Sequence, residues 1–249
     1  MKRKTKGWLI GGALAVVVLG TGAYTWSNDY LGNNIDIEGV IPADAGAASP
    51  PSSAGSSAEP GASASSSAAS GATVTGEQLN GNWTISEGSK LYLSVTTSRE
   101  TVNFVDEAVS GSWALNVDDA SQTSAEGKID MASLDSGNGQ RDGHVKGEEY
   151  LNVSEFPEAT FQATSFEGLP AEWTEGAASD FKMTGTLTVR GVEKEVTFDA
   201  KTMYRDGQVL LSGTAIVTFA DFGMENPHSV VLDTENDLSV QLEPVLDKA

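Results

Sequence analysis

One short segment holds the residues of this sequence best suited to chemistry. Within residues 141–161, Arg141, His144 and Lys146 bring three basic side chains together in a chain that has 35 Asp and Glu against 15 Lys and Arg. Guanidinium and ammonium groups in such a cluster suit the oxygens of an anionic head group. Asp142 lies two residues before His144 and could orient the imidazole as a base, although a single pair of this kind is a weak signal for catalysis.

The sequence favours a structural role for the same residues over binding of a head group. Arg141 could pair with a carboxylate in a network that ties the segment to the rest of the domain. The chain has no Cys and only two His, His144 and His228, so the sequence shows no metal site, no disulfide and no thiol chemistry. It also lacks a glycine-rich phosphate loop before a helix and a serine in an elbow motif. We therefore predict a protein that is not an enzyme and needs no cofactor.

The elements that must position these residues are β-strands. From about residue 77 onward, apolar residues occupy every second position in short runs, which is typical of strands with one buried face. The clearest run places Phe181, Met183, Gly185, Leu187 and Val189 on one face. Eight to ten such runs, with no competing helical pattern of a dozen residues, predict an all-β antiparallel domain.

Glycines inside these runs favour a closed barrel. Gly111, Gly127, Gly185 and Gly213 fall within predicted strands, and Gly185 and Gly213 share the apolar face. Such glycines weaken a flat sheet but relieve crowding where a sheet bends sharply. A sandwich would show the same alternation, so periodicity alone gives the barrel only a modest advantage.

The N-terminus predicts a membrane segment. Lys2, Arg3, Lys4 and Lys6 precede an uncharged apolar run from Trp8 to about Tyr24, and the positive-inside rule places that end in the cytoplasm. We predict a signal-anchor at 1–26 that fixes the protein in the cell membrane as a single-pass protein, with the following domain outside the cytoplasm. The small residues at 21–23 also suit signal peptidase, and cleavage there would release a secreted protein.

A linker and an acidic domain follow the apolar run. Residues 27–76 are predicted to be a disordered linker, because the tract from Ala45 to about Thr73 is almost entirely Ala, Ser, Gly and Pro. As a flexible tether it would reach on the order of 30 Å. All 35 acidic residues follow the apolar run together with 11 of the 15 basic ones, so the formal charge of this part is 11 − 35 = −24. Such a surface excludes nucleic acid as a partner.

Several motifs in a fixed order carry a resemblance to a known family. They are Arg141-Asp142-Gly143-His144, Tyr150-Leu151, Phe156-Pro157, Thr160-Phe161, the run 185–192, and Asp221-Phe222-Gly223. In this order they resemble the YceI-like family, from about Trp83 to Leu242. The resemblance implies that residues 77–249 form a lipocalin-like barrel of eight antiparallel strands, with a short helix after the fourth strand and an apolar tunnel that binds a polyisoprenoid such as an isoprenoid quinone or a polyprenyl phosphate.

The resemblance also assigns roles to particular residues. The segment 141–150 becomes the helix near the tunnel, with Arg141, His144 and Lys146 as contacts for the head group. The tunnel wall is expected to include nine inward residues: Trp113, Phe161, Phe181, Met183, Leu187, Phe198, Leu211, Phe219 and Phe222. Phe219 stands where the family often has an Arg, which implies a more apolar lining.

Two classes of function follow. The first is a membrane-tethered, extracytoplasmic protein that holds an isoprenoid chain for sequestration or transport. The alternative is a cell-surface interaction module whose barrel is filled by its own side chains and carries no lipid.

Overall fold

A computed structural model describes residues 35–42, 71–227 and 233–249. Thirteen strand segments are found there: β1 (Thr73–Val74), β2 (Gly81–Ile85), β3 (Lys90–Thr97), β4 (Thr101–Asp106), β5 (Val109–Leu115), β6 (Ser124–Asp130), β7 (Glu158–Glu167), β8 (Trp173–Thr174), β9 (Ala178–Val189), β10 (Val192–Arg205), β11 (Gln208–Thr218), β12 (Thr234–Glu243) and β13 (Val245–Lys248). The helices are α1 (Gly76–Leu79) and α2 (Gly139–Val145), with 3-10 turns at Ala120–Gln122 and Ala220–Phe222.

Eleven of these segments form eight barrel strands. β2 with β3, β4 with β5, and β12 with β13 are single strands bent in the middle, because each half pairs with the corresponding half of its neighbour. The resulting strands are neighbours in chain order, and the last one, β12/β13, pairs with the first, β2/β3. This is a closed up-and-down antiparallel barrel. It confirms the predicted all-β, eight-stranded fold with a short helix.

The helix does not lie where the family resemblance placed it. α2 follows β6, which is the third barrel strand rather than the fourth, because β4 and β5 count as one strand. It also begins two residues before Arg141. The Asn138 side chain sets that start, since it accepts hydrogen bonds from the backbone N–H groups of Gln140 (3.1 Å) and Arg141 (3.2 Å).

The two ends of the barrel differ. We call the end that carries α2 the mouth end and the opposite end the closed end. At the closed end Leu79 and Trp83 are buried, the Trp83 indole N–H donates to the Leu79 carbonyl at 2.7 Å, and Tyr204 packs edge-on against the Trp83 ring. The small β1–β8 sheet lies at the same end. Access to the interior is therefore expected from the mouth end.

Residues 35–42 lie across the outer wall of the barrel, and we call them the strap. The Ile35 carbonyl accepts from Asn103 Nδ2 at 3.0 Å, and the Val40 N–H donates to Glu243 Oε2 at 2.8 Å. Val40 and Ile41 pack on a small outward-facing cluster formed by Ala178, Met203 and Leu210. The strap thus covers an apolar patch on the outside of the sheet.

The strap changes the predicted domain boundaries. Two parts of the predicted linker, 27–76, are ordered: the strap, and residues 71–76, which include β1 and the start of α1. The remainder of the linker lies outside the described residues, so its disorder stays a prediction. Among the described residues no helix is long and apolar enough to cross a bilayer, and the predicted anchor at 1–26 lies outside them.

Gly185 is required for packing inside the barrel. A Cβ at this position would lie 2.5 Å from the Phe161 ring and 2.4 Å from the Gln162 carbonyl oxygen. We expect Gly185→Ala to lower the free energy of unfolding by about 1–3 kcal/mol, since a neighbouring strand would have to shift. The matched control is Gly127→Ala, whose Cβ would meet nothing within 4 Å. Urea denaturation of both variants checks the prediction, and equal stabilities would contradict it.

Candidate ligand-binding site

A cavity of about 530 Å³ lies at the mouth end, and we call it the outer cavity. Inward side chains from β3, β4 and β12 form one side of its wall, and α2 with the chain after it forms another. Its lining residues are Leu93, Val95, Thr97, Arg99, Glu100, Val102, Phe104, Gln140, Arg141, His144, Val145, Tyr150, Leu151, Phe219, Met224, Pro227, Thr234 and Leu238. This volume suits an elongated apolar ligand rather than a single water cluster.

Ser136 fixes the position of α2 beside the outer cavity. Its side chain is fully buried, and its N–H and hydroxyl both donate to Asp142 Oδ1, at 3.0 and 2.5 Å. Arg141 Nε donates to the Ser136 hydroxyl at 2.9 Å, and Arg141 Nη2 donates to the Ser136 carbonyl at 3.1 Å. Asp142 and Arg141 therefore anchor the helix through their shared partner Ser136, whereas the structural interpretation of the sequence expected a carboxylate as the partner of Arg141.

The structure brings two of the three predicted head-group residues to the outer cavity. Arg141 and His144 line it, and the His144 ring packs edge-on against Tyr150 with centroids 5.1 Å apart. Lys146 does not line it, because this C-cap residue of α2 turns its ammonium to the Ala132 carbonyl at 2.7 Å. Asp142 is held by Ser136, so the suggested Asp142–His144 acid–base arrangement is not assembled in this geometry.

A second cavity of about 80 Å³ lies deeper in the barrel, and we call it the inner cavity. Its walls are almost wholly apolar. Six of the nine predicted wall residues line it: Trp113, Phe161, Met183, Leu187, Phe198 and Leu211. Phe219 lines the outer cavity instead, while Phe181 stacks on Trp113 with centroids 6.3 Å apart and Phe222 is buried in the turn after β11.

The two cavities follow one another along the barrel axis. On β3, Leu91 lines the inner cavity and Leu93 lines the outer one; on β12, Val240 and Leu238 do the same. Successive inward residues on a strand are about 6.6 Å apart, so only about one layer of side chains separates the cavities.

Two features of the inner cavity were not identified from the sequence. Gly127 lies on its wall, and a Cβ there would meet no atom within 4 Å, so this glycine keeps part of the cavity open. The Trp113 indole N–H is buried and has no hydrogen-bond partner among the described residues. A buried donor left unpaired costs about 1–3 kcal/mol. The position of Gly127 between Ala125 and Ile129 was a usable sequence signal, whereas the state of the Trp113 N–H was not.

Asp106 is an ionisable group on the inward face of β4. Its side chain is fully buried, and its Oδ1 accepts from the Ser133 hydroxyl at 2.5 Å and the Ala108 N–H at 2.9 Å. Its Oδ2 has no hydrogen-bond partner among the described residues. Burial raises the pKa of this carboxyl above its usual value, although the bonds from Ser133 and Ala108 lower it in part.

This raised pKa predicts a pH dependence of stability. Because the folded state holds the Asp106 proton more tightly than the unfolded state, the contribution is complete below about pH 4 and is lost as the pH rises through the folded pKa. We expect Asp106→Asn to gain stability relative to the parent protein as the pH is raised from about 4 to 7. Urea denaturation at both pH values measures this, with the exposed Asp237→Asn as control. A difference that does not change with pH would contradict the assignment.

Comparisons with known proteins come from sequence and from structure. The YceI-like domain family matches residues 70–244. Protein YceI from Salmonella arizonae is 43% identical over 75 residues, which cover 30% of this chain and 35% of that protein, and Protein YceI from Salmonella paratyphi B matches to the same extent. The matched segment thus spans about a third of the length of these curated relatives.

Two solved structures share the fold. BcnA from Burkholderia cenocepacia superposes with a TM-score of 0.54 at 19% identity, covering 63% of this chain and 95% of that one. A polyisoprenoid-binding domain from Saccharophagus degradans, implicated in plant cell wall breakdown, superposes with a TM-score of 0.55 at 14% identity, covering 67% of this chain and 98% of that one. At these identities the likeness concerns the fold alone.

Proposed function

The chain belongs to the YceI-like domain family, and on that premise we propose that it is a membrane-tethered, extracytoplasmic lipid-binding protein that holds an isoprenoid chain for sequestration or transport. The observation that carries this proposal is the pair of apolar cavities, about 530 and 80 Å³, that follow one another along the barrel axis. Burying apolar surface contributes roughly 25 cal/mol per Å². The isoprenoid tail would therefore supply most of the affinity.

The inner cavity suits the end of an isoprenoid tail rather than a head group. Moving a charged phosphate into an apolar cavity of this kind costs many kcal/mol, so such a head would have to stay at the rim beside Arg141 and His144. A quinone ring is also too large for it, since benzene already binds in an engineered cavity of about 150 Å³ and this one measures about 80 Å³. We therefore propose that the isoprenoid is seated tail-first, with its head group, a quinone in the tests below, in the outer cavity beside Arg141 and His144.

The proposed function itself is tested by what the protein carries. The full chain, purified in mild detergent from its own host, is analysed by native mass spectrometry, and the bound material is extracted into organic solvent. We expect one isoprenoid species at one molecule per barrel. A fully folded protein that carries no lipid would contradict the proposal and would support the interaction module instead.

A further inference from the structure

The strap connects the barrel to the part of the chain that precedes residue 35. It runs along the barrel wall from one end toward the other. We propose that the strap turns the mouth end of the barrel toward the membrane surface, and that residues 27–34 are the entire tether. This inference rests on the proposed membrane anchoring at 1–26. It goes further, because it states which end of the barrel faces the lipid.

The strap enters the domain in its mouth half. Its first residue, Ile35, is bonded to Asn103, which lies between Val102 and Phe104, and both of those residues line the outer cavity. The middle of the strap crosses β3, where the Glu38 N–H donates to the Tyr92 hydroxyl at 3.2 Å. The end of the strap packs on Met203 and Leu210, near the closed ends of β10 and β11. The chain therefore runs from the mouth half toward the closed end.

The Ala/Ser/Gly/Pro-rich tract is not the tether that its composition suggested. The strap ends against Ala178, and the chain resumes at residue 71 beside the same segment, where the Ala72 carbonyl accepts from the Glu175 N–H at 2.9 Å. Residues 43–70 thus begin and end at the closed end of the barrel. The tract therefore follows the strap in the chain and adds no length between an anchor at 1–26 and the strap.

The remaining length decides the orientation. Residues 27–34 number eight and span at most about 29 Å when fully extended. From Asn103 to Leu115 the strand rises about 40 Å, or roughly 30 Å along the axis of a barrel with the usual strand tilt. If the closed end faced the membrane, residues 27–34 would have to extend along the barrel wall from the membrane to Ile35, and this path would take up their whole length. With the mouth end on the membrane, the tether has length to spare.

Exposed apolar side chains agree with this orientation. Three large apolar residues are exposed in the described part of the chain: Ile37 (40%), Val192 (37%) and Ile216 (60%). Ile37 lies in the first half of the strap, Val192 begins β10 at the mouth end, and Ile216 lies two residues from the mouth end of β11. All three lie in the mouth half of the barrel, the half that is nearer the lipid in this orientation.

The absence of cysteine from the chain allows a direct test. Arg99→Cys places a single thiol at the mouth end and Glu172→Cys places one near the closed end, both at exposed positions. Each full-length variant is labelled with a fluorophore and reconstituted into phosphatidylcholine vesicles that contain a lipid with a nitroxide on its head group. We expect quenching at least about twofold stronger for Arg99→Cys, because the two positions differ by roughly 30 Å in distance from the bilayer.

A lengthened tether provides the matched control. A flexible Gly/Ser insertion of about 20 residues after residue 34 adds roughly 25 Å of mean reach and should remove the difference in quenching. Equal or reversed quenching in vesicle-bound protein without the insertion would overturn the orientation while leaving the anchoring intact. Protein that does not float with the vesicles would overturn the anchoring and this inference with it. Neither result alters the lipid extraction that tests the ligand.

Discussion

Gly127→Val is expected to abolish the deep seating of an isoprenoid while leaving the barrel folded and as stable as before. Gly127 lies on β6 with its missing side chain directed at open space on the wall of the inner cavity. A valine there fills that space with three carbon atoms. Its β-branched side chain also suits a strand better than glycine does, by up to about 1 kcal/mol.

The loss of affinity should be large, because the variant excludes ligand atoms from a fully apolar site. Each buried CH₂ contributes about 0.8 kcal/mol, so exclusion of one isoprene unit removes up to about 4 kcal/mol. We expect affinity for an isoprenoid quinone to fall at least tenfold, which corresponds to about 1.4 kcal/mol. Equilibrium binding of the quinone to the full-length protein in detergent measures this.

Ser124→Val is the matched control for this prediction. Ser124 is on the same strand, is exposed, and does not line either cavity. This variant should bind the quinone as the parent does. Unchanged binding by Gly127→Val, with stability retained, would show that the ligand does not reach the inner cavity. A loss of stability in Gly127→Val would instead contradict the open space at this glycine.

The inward rows of the barrel were predictable because pleating alone sets them. Side chains two apart on a strand share a face whatever the rest of the chain does, so the alternation through Phe181, Met183 and Leu187 was enough to place all three inside. The same rule identified most of the wall of the inner cavity. It could not separate residues that line a cavity from those that pack elsewhere, such as Phe222, since both have the same pattern.

The outer wall shows where local patterns fail. Met203 and Leu210 point outward, yet they are buried because the strap lies over them. Tyr92 alternates with the inward residues Leu91 and Leu93 of β3, and it too is buried beneath the strap. The strap joins these residues from 50 to 170 positions away in sequence, and no local period encodes such a contact. The composition of the chain did not reveal the strap either, because the strap adjoins a long Ala/Ser/Gly/Pro tract.

Only part of the outer-cavity lining could be predicted from the sequence, because local patterns do not show which way each side chain points. The local excess of basic residues in an acidic chain singled out Arg141 and His144, which the structure places beside the outer cavity, while their contact with a head group stays a prediction. Charge does not specify direction, however, and Lys146 is turned away by the helix C-terminus on which it sits. The role of Ser136 as the shared partner of Arg141 and Asp142 depends on the loop before α2, for which the sequence carries no periodic signal.

Glu243→Ala is expected to release the strap and to lower the free energy of unfolding by about 3 kcal/mol. The Glu243 side chain is fully buried on the outer wall, where its Oε2 accepts from the Val40 N–H at 2.8 Å. Its Oε1 accepts from Ser212 Oγ and Gln241 Nε2, both at 2.6 Å. Hydrogen bonds to a charged group contribute about 1.5–3 kcal/mol each, and their loss is less than additive within one cluster.

The ion pair elsewhere on the strap cannot compensate for this loss. Lys90 lies 3.2 Å from Glu38, but the Glu38 side chain is 74% exposed, and such surface pairs contribute about 0–1 kcal/mol. Urea denaturation measures the stability, and limited proteolysis measures the release, since a free strap should be cut within residues 35–42 before the barrel is. Glu235→Ala, at an exposed position on the same strand, is the control. If Glu243→Ala kept both its stability and its resistance to cleavage, the other contacts of the strap would be enough to hold it on the barrel, and Glu243 would not be its main anchor.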